Sequence, residues 1–103
     1  MAKFVLAYTG GSAPESPEDG DSIMAAWMAW FGELGSAVVD GGNPFAQART
    51  VAPDGTVSDG GNAGLTGYSV IEAADLDDAV AKARGCPVLG SGGSVEVYTA
   101  MDM

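Results

Sequence analysis

Three observations predict an α+β domain with the element order β-α-β-β-α-β and one extra hairpin. Short runs of β-forming residues at Phe4–Thr9, Gly67–Glu72 and Val95–Thr99 are separated by two stretches with helical spacing. The corner Asp40-Gly41-Gly42-Asn43 recurs as Asp59-Gly60-Gly61-Asn62. Between the copies stands Pro53-Asp54-Gly55, a reverse-turn signal flanked by Thr50-Val51 and Thr56-Val57. A hairpin over 48–58 with a glycine corner at each foot follows from the last two observations.

In chain order, Phe4-Val5-Leu6-Ala7-Tyr8-Thr9 is apolar at consecutive positions, as in a strand covered on both faces. Residues 10–20 collect Ser, Pro, Glu, Asp and Gly, which predicts a mobile surface loop and a candidate lid. Asp21 or Ser22 then caps a helix in which Ile23, Met24, Trp27, Trp30, Phe31 and Leu34 make one wide apolar face, ended by Gly35. Ser36-Ala37-Val38-Val39 leads into the first corner. After the hairpin and the strand at Tyr68, Asp75 caps a second helix whose buried stripe is Leu76, Ala79, Val80 and Ala83. Asp77 and Asp78 oppose its N-terminal dipole, Lys82 and Arg84 complement its far end, and Gly85 and Pro87 stop it. This order is the split βαβ, ferredoxin-like plan with an antiparallel sheet. Two helices cover one face of such a sheet, yet Phe4, Leu6 and Tyr8 alternate with the equally apolar Val5 and Ala7. The second face calls for a cover, and a second copy of the chain supplies a self-complementary one, so a homodimer is expected.

Composition bounds the function. A chain of 103 residues is one domain, 1–103. Its 14 acids against 4 bases give a net charge of −10, which repels phosphate backbones and anionic headgroups, so neither nucleic acid nor membrane is expected as a partner. One cysteine permits no internal disulfide, and the apolar run near the N-terminus is too short for a signal core, so a cytoplasmic location is expected. The sequence contains no histidine, which removes the commonest general base, Ser-His and Cys-His pairs, and the usual zinc ligands. No metal or cofactor is expected.

Gly90-Ser91-Gly92-Gly93-Ser94 follows a helix and precedes a strand, the reverse of a phosphate-binding loop, and reads as a connector. Cys86, placed after a helix C-terminus, reads as a structural thiol. Trp27 and Trp30 are core residues first, and second the apolar wall of a ligand site. Asp40, Asn43, Asp59 and Asn62 are turn formers whose polar groups can also line a pocket at the mouth of the sheet with Tyr68. There Asp40 is the candidate base, and Tyr68 the candidate proton donor or positioning hydroxyl. The two readings are a dimeric protein binding a small hydrophobic or aromatic molecule between the sheet and the first helix, and a cofactor-independent lyase, isomerase or oxygenase acting on a small aromatic or lactone-like substrate.

Together, Lys3-Phe4-Val5-Leu6, Asp59-Gly60, Gly67-Tyr68-Ser69-Val70-Ile71-Glu72-Ala73, Leu76-Asp77-Asp78-Ala79 and Gly93-Ser94-Val95-Glu96-Val97 resemble the YCII-related (DGPF-type) domain family. The resemblance implies a dimeric α/β barrel of ferredoxin-like chains. Relatives often show Asp-Gly-Pro-Phe where this chain has Asp59-Gly60-Gly61-Asn62. Some carry a His-Asp pair proposed as an acid-base dyad, with the histidine on the first helix. Here that helix offers Met24 or Ala25, and Asp40 stands as the surviving carboxylate.

Overall fold

The computed structural model describes residues 2–10, 16–61 and 64–101. Its main sheet is antiparallel and contains β1 (Ala2–Thr9), β2 (Val38–Asp40), β5 (Leu65–Ala73) and β6 (Ser94–Ala100) in the order β2-β5-β1-β6. Helices α1 (Pro17–Leu34) and α2 (Leu76–Ala83) supply the α layer. Among the described residues, strands β3 (Arg49–Val51) and β4 (Val57–Asp59) pair only with each other. The predicted element order, the antiparallel sheet and the extra hairpin are all present.

Strand alternation decides which side is core. Phe4, Leu6 and Tyr8 of β1 lie opposite Ile71, Ser69 and Gly67 of β5 and Thr99, Val97 and Val95 of β6. This face packs against Trp30 of α1, Ala79 and Ala83 of α2, and Cys86 and Val88. Trp27, Phe31 and Leu34 close the margin of the same cluster. The other face carries Val5, Ala7, Tyr68, Val70, Glu96 and Tyr98, and among the described residues no helix lies over it. The molecule is therefore a slab 19 Å thick, with a radius of gyration of 15.0 Å against roughly 13 Å for a compact chain of this length.

The first helix starts earlier than the sequence reading placed it. Ser16 in extended backbone accepts a hydrogen bond from the Asp19 amide at 3.1 Å, Pro17 occupies the first turn, and Glu18 and Asp19 complement the dipole. Residues 17–20 of the expected lid are thus the first turn of α1, and 11–15 lie outside the described residues. Met24, expected on the apolar face, is 62% exposed, because the buried arc centres on Trp30. Leu76 and Val80 of α2 are also exposed, since β6 is an edge strand and α2 meets the sheet through the smaller Ala79 and Ala83. Gly35 caps α1 as expected, and Gly35–Ala37 form a 3₁₀ turn that leads into β2.

Candidate functional site

The first Asp-Gly-Gly-Asn corner is locked against β5. Asp40 ends β2, and its Oδ1 accepts from the Gly42 amide at 2.8 Å, closing an Asx turn. Gly42 has φ +75°, and a Cβ there would fall on the Tyr68 carbonyl oxygen, so only glycine allows the chain to lie this close. Beyond it the Tyr68 amide donates to Asn43 O at 3.4 Å, Pro44 bridges Gly67, and the Phe45 amide donates to Thr66 O at 2.8 Å. From below, the Tyr8 hydroxyl donates to Ser69 Oγ at 2.7 Å, and Ser69 Oγ donates to Gly41 O at 2.7 Å. Burial raises the Tyr8 phenol, partly offset by its bond to Ser69, and burial pushes the Cys86 thiol up to about 11.

On the open face, this anchoring assembles a compact group. The Tyr68 hydroxyl donates to Asp40 Oδ2 at 3.4 Å, and the Phe45 ring stacks on Tyr68 with centroids 5.7 Å apart and planes 17° apart. Asp40, Asn43 and Tyr68 are therefore brought together, with Asn43 contributing its carbonyl. Tyr68 lies within β5 rather than at its beginning. The tryptophans are on the opposite side of the sheet. Trp30 is 3% exposed and its Nε1 donates to Lys82 O at 3.1 Å, while Trp27 packs edge-on against Tyr8 at 5.1 Å and Trp30 at 5.7 Å. Trp27, Trp30, Phe31 and Leu34 fill the interval between sheet and α1 where a pocket was expected. The aromatic wall beside Asp40 is instead Phe45, legible only as the apolar residue after Asn43-Pro44. Asp59 is bound to Arg49 at 2.6 Å in the hairpin and does not join this group. Asn62 lies outside the described residues.

A second tyrosine–carboxylate pair stands on the same face, and sequence reasoning did not single it out. The Tyr98 hydroxyl donates to Glu96 Oε2 at 2.9 Å, and this bond to a carboxylate raises the Tyr98 phenol. Ala7 is in register with Tyr68 on one side and Glu96 on the other, and Val5 with Val70 and Tyr98. The signal available was the period-two pattern Glu96-Val97-Tyr98, which puts both polar residues on the face away from Val97.

No family model matches the chain, and no curated protein matches it. Among solved structures it is similar to the 5-chloro-2-hydroxyhydroquinone dehydrochlorinase of Burkholderia phenoliruptrix AC1100 in complex with 2,5-dihydroxybenzoquinone. The TM-score is 0.59 and the identity 19%, over 98% of this chain and 95% of that one. The fold is shared. This chain is an α+β domain of the ferredoxin-like fold. Among the described residues no helix is long and apolar enough to cross a membrane.

Proposed function

We propose that this chain is a YCII-related, homodimeric cytoplasmic protein that binds a small aromatic molecule on the open sheet face. The ring is held at the corner formed by Asp40, Tyr68 and Phe45. The observation that carries this reading is the convergence of a carboxylate, a phenol and a stacked ring on a sheet face without a helix over it. The ligand named for the structural neighbour, a dihydroxylated six-membered ring, supports the size and polarity of the molecule. Titration of amide resonances with benzene-1,4-diol tests the site. Shifts confined to 40–45 and 66–70, and weakened about tenfold in Asp40→Asn and Tyr68→Phe, are the expected result. Saturable shifts that map to α1 or to the hairpin, or that persist in both variants, overturn it.

The hydroxyl-to-carboxylate contact at 3.4 Å favours one further reading, proton transfer on the bound ring. Asp40 takes a proton from the substrate, and the Tyr68 hydroxyl positions or returns one at the oxygen it faces. The dehydrochlorinase activity of the neighbour supports the same class of small hydroxylated substrate. Turnover that Asp40→Asn abolishes even at ring concentrations that saturate its weakened site separates this reading from binding alone.

A further inference from the structure

We infer that the open face is a single two-ended site, in which Glu96 and Tyr98 grip the far end of a ring held at its near end by Asp40 and Tyr68, and that its ligand is a neutral 1,4-dihydroxylated aromatic. The inference rests on the reading of the Asp40–Tyr68 corner as a ring site, and adds the residues and the ligand class that complete it.

The first argument is hydrogen-bonding capacity. Tyr68 gives its one proton to Asp40 Oδ2 and Tyr98 gives its one proton to Glu96 Oε2. Asp40 Oδ1 is occupied by the Gly42 amide, and Glu96 Oε1 has no donor among the described residues. What both ends present to a ligand is therefore acceptor lone pairs, on two carboxylates and two phenols. A ligand must bring donors to both ends. An unsubstituted quinone, which only accepts, does not match, and an anion is repelled by Asp40, Glu72 and Glu96 on a face whose cation is Lys3, in a chain of net charge −10.

The second argument is spacing. Tyr68, Ala7 and Glu96 form one row across three neighbouring strands, so the backbones bearing Tyr68 and Glu96 are roughly 10 Å apart, while Asp40 stands on β2, one strand farther out, and is reached through the Tyr68 hydroxyl. One benzene ring with para hydroxyls, plus a hydrogen bond of about 2.7 Å at each end, spans roughly 11 Å. Ala7, with 5% exposure, is already covered by its larger neighbours, and the half-buried Val5 and Val70 in the next row supply the accessible apolar floor. Flat apolar floor and acceptors at both ends describe a planar diol.

Calorimetric titration of the 103-residue chain with benzene-1,4-diol and with 4-methoxyphenol, which has one hydroxyl capped, tests this. The diol is expected to bind wild type at least about tenfold more tightly than the ether, because one charge-assisted hydrogen bond is worth about that factor. Glu96→Gln and Asp40→Asn are each expected to reduce diol binding about tenfold. The ether occupies either end, so each single variant lowers its binding by about twofold at most, and only the double variant abolishes it. Tyr98→Phe is expected to lower the diol preference without a change in thermal unfolding. Diol binding unchanged in Glu96→Gln, with ether binding lost in Asp40→Asn alone, overturns the two-ended site and leaves the Asp40–Tyr68 site standing. Failure of wild type to bind either compound overturns both.

Discussion

Gly42 shows how much one missing side chain carries. Its positive φ and its contact with the Tyr68 backbone let the corner bring Asp40 and Phe45 onto the same strand. Gly42→Ala is expected to destabilise the fold by about 2–4 kcal/mol, read from chemical denaturation, since the added methyl displaces either the corner or β5. Gly55 also has positive φ, but nothing lies within contact of a Cβ there, so Gly55→Ala serves as the control with the smaller loss. Cys86 makes a different case. The folded state holds its thiol proton up to about 11, whereas the unfolded chain releases it near 8.5. The stabilising difference is complete below the lower value and is lost as pH rises through this window, on the order of 3 kcal/mol in all. Cys86→Ala is expected to flatten the first part of that decline and leave the part due to Tyr8, which begins near pH 10. Equilibrium unfolding at pH 8, 9.5 and 10.5 checks the sign.

At the scale of elements, the start of α1 is decided by a cap that a hydrophobicity pattern does not reveal. Ser16→Ala removes the acceptor for the Asp19 amide and is expected to cost about 1 kcal/mol, with faster hydrogen exchange confined to the first turn. The apolar arc of Ile23, Trp27, Trp30, Phe31 and Leu34 made the helix legible from its middle, while Ser16-Pro17-Glu18-Asp19 resembled a polar loop in composition. The strands at Phe4, Tyr68 and Val97 were legible because β-branched and aromatic residues cluster there without competing helical spacing. The α2 stripe was misread for a geometric reason. A periodic apolar helix predicts a buried face, but burial also needs sheet beneath it, and beyond β6 there is none. Leu76 and Val80 instead line a shallow groove with Leu89, Val95 and Val97. For the candidate site, Asp40, Asn43 and Tyr68 were legible from turn chemistry and strand position. The expectation that Trp27 or Trp30 joins them failed because alternation along β1 and β5 sends the tryptophan-facing side chains, Tyr8 and Ser69, to the opposite side from Tyr68.

Among the described residues the sheet has one face covered by helices, and the proposed homodimer closes the other. Val5, Val70 and the exposed Tyr98 form an apolar strip there, with Phe45 and Leu65 at the margin, and two such strips meeting about a two-fold axis remove this area from water in both copies. The same closure brings Asp40, Glu72 and Glu96 of one copy towards those of the other, with Lys3 as the neighbouring cation. Hydrophobic burial therefore works against like-charge repulsion, and the dimer is expected to tighten as salt rises from about 0.05 to 0.5 M, where the screening length falls from above 10 Å to a few ångströms. A contact held by ion pairs between copies would weaken over the same range. A diol adds a second, independent term. Donor hydroxyls placed between the carboxylates satisfy acceptors that closure would otherwise strip of water, so benzene-1,4-diol at a hundred times its dissociation constant is expected to stabilise each site by roughly 2.7 kcal/mol and to shift the dimerisation constant in the same direction as salt. Glu96→Gln separates the two effects. It removes one repelling charge per copy, which tightens the unliganded dimer, and it removes one acceptor, which weakens the response to diol. Sedimentation velocity at micromolar protein, with and without diol in both chains, reads both quantities. A mass that stays at that of one chain under every condition refutes face-to-face closure, and a dimer in which Glu96→Gln leaves both salt and diol responses unaltered places the contact away from this face.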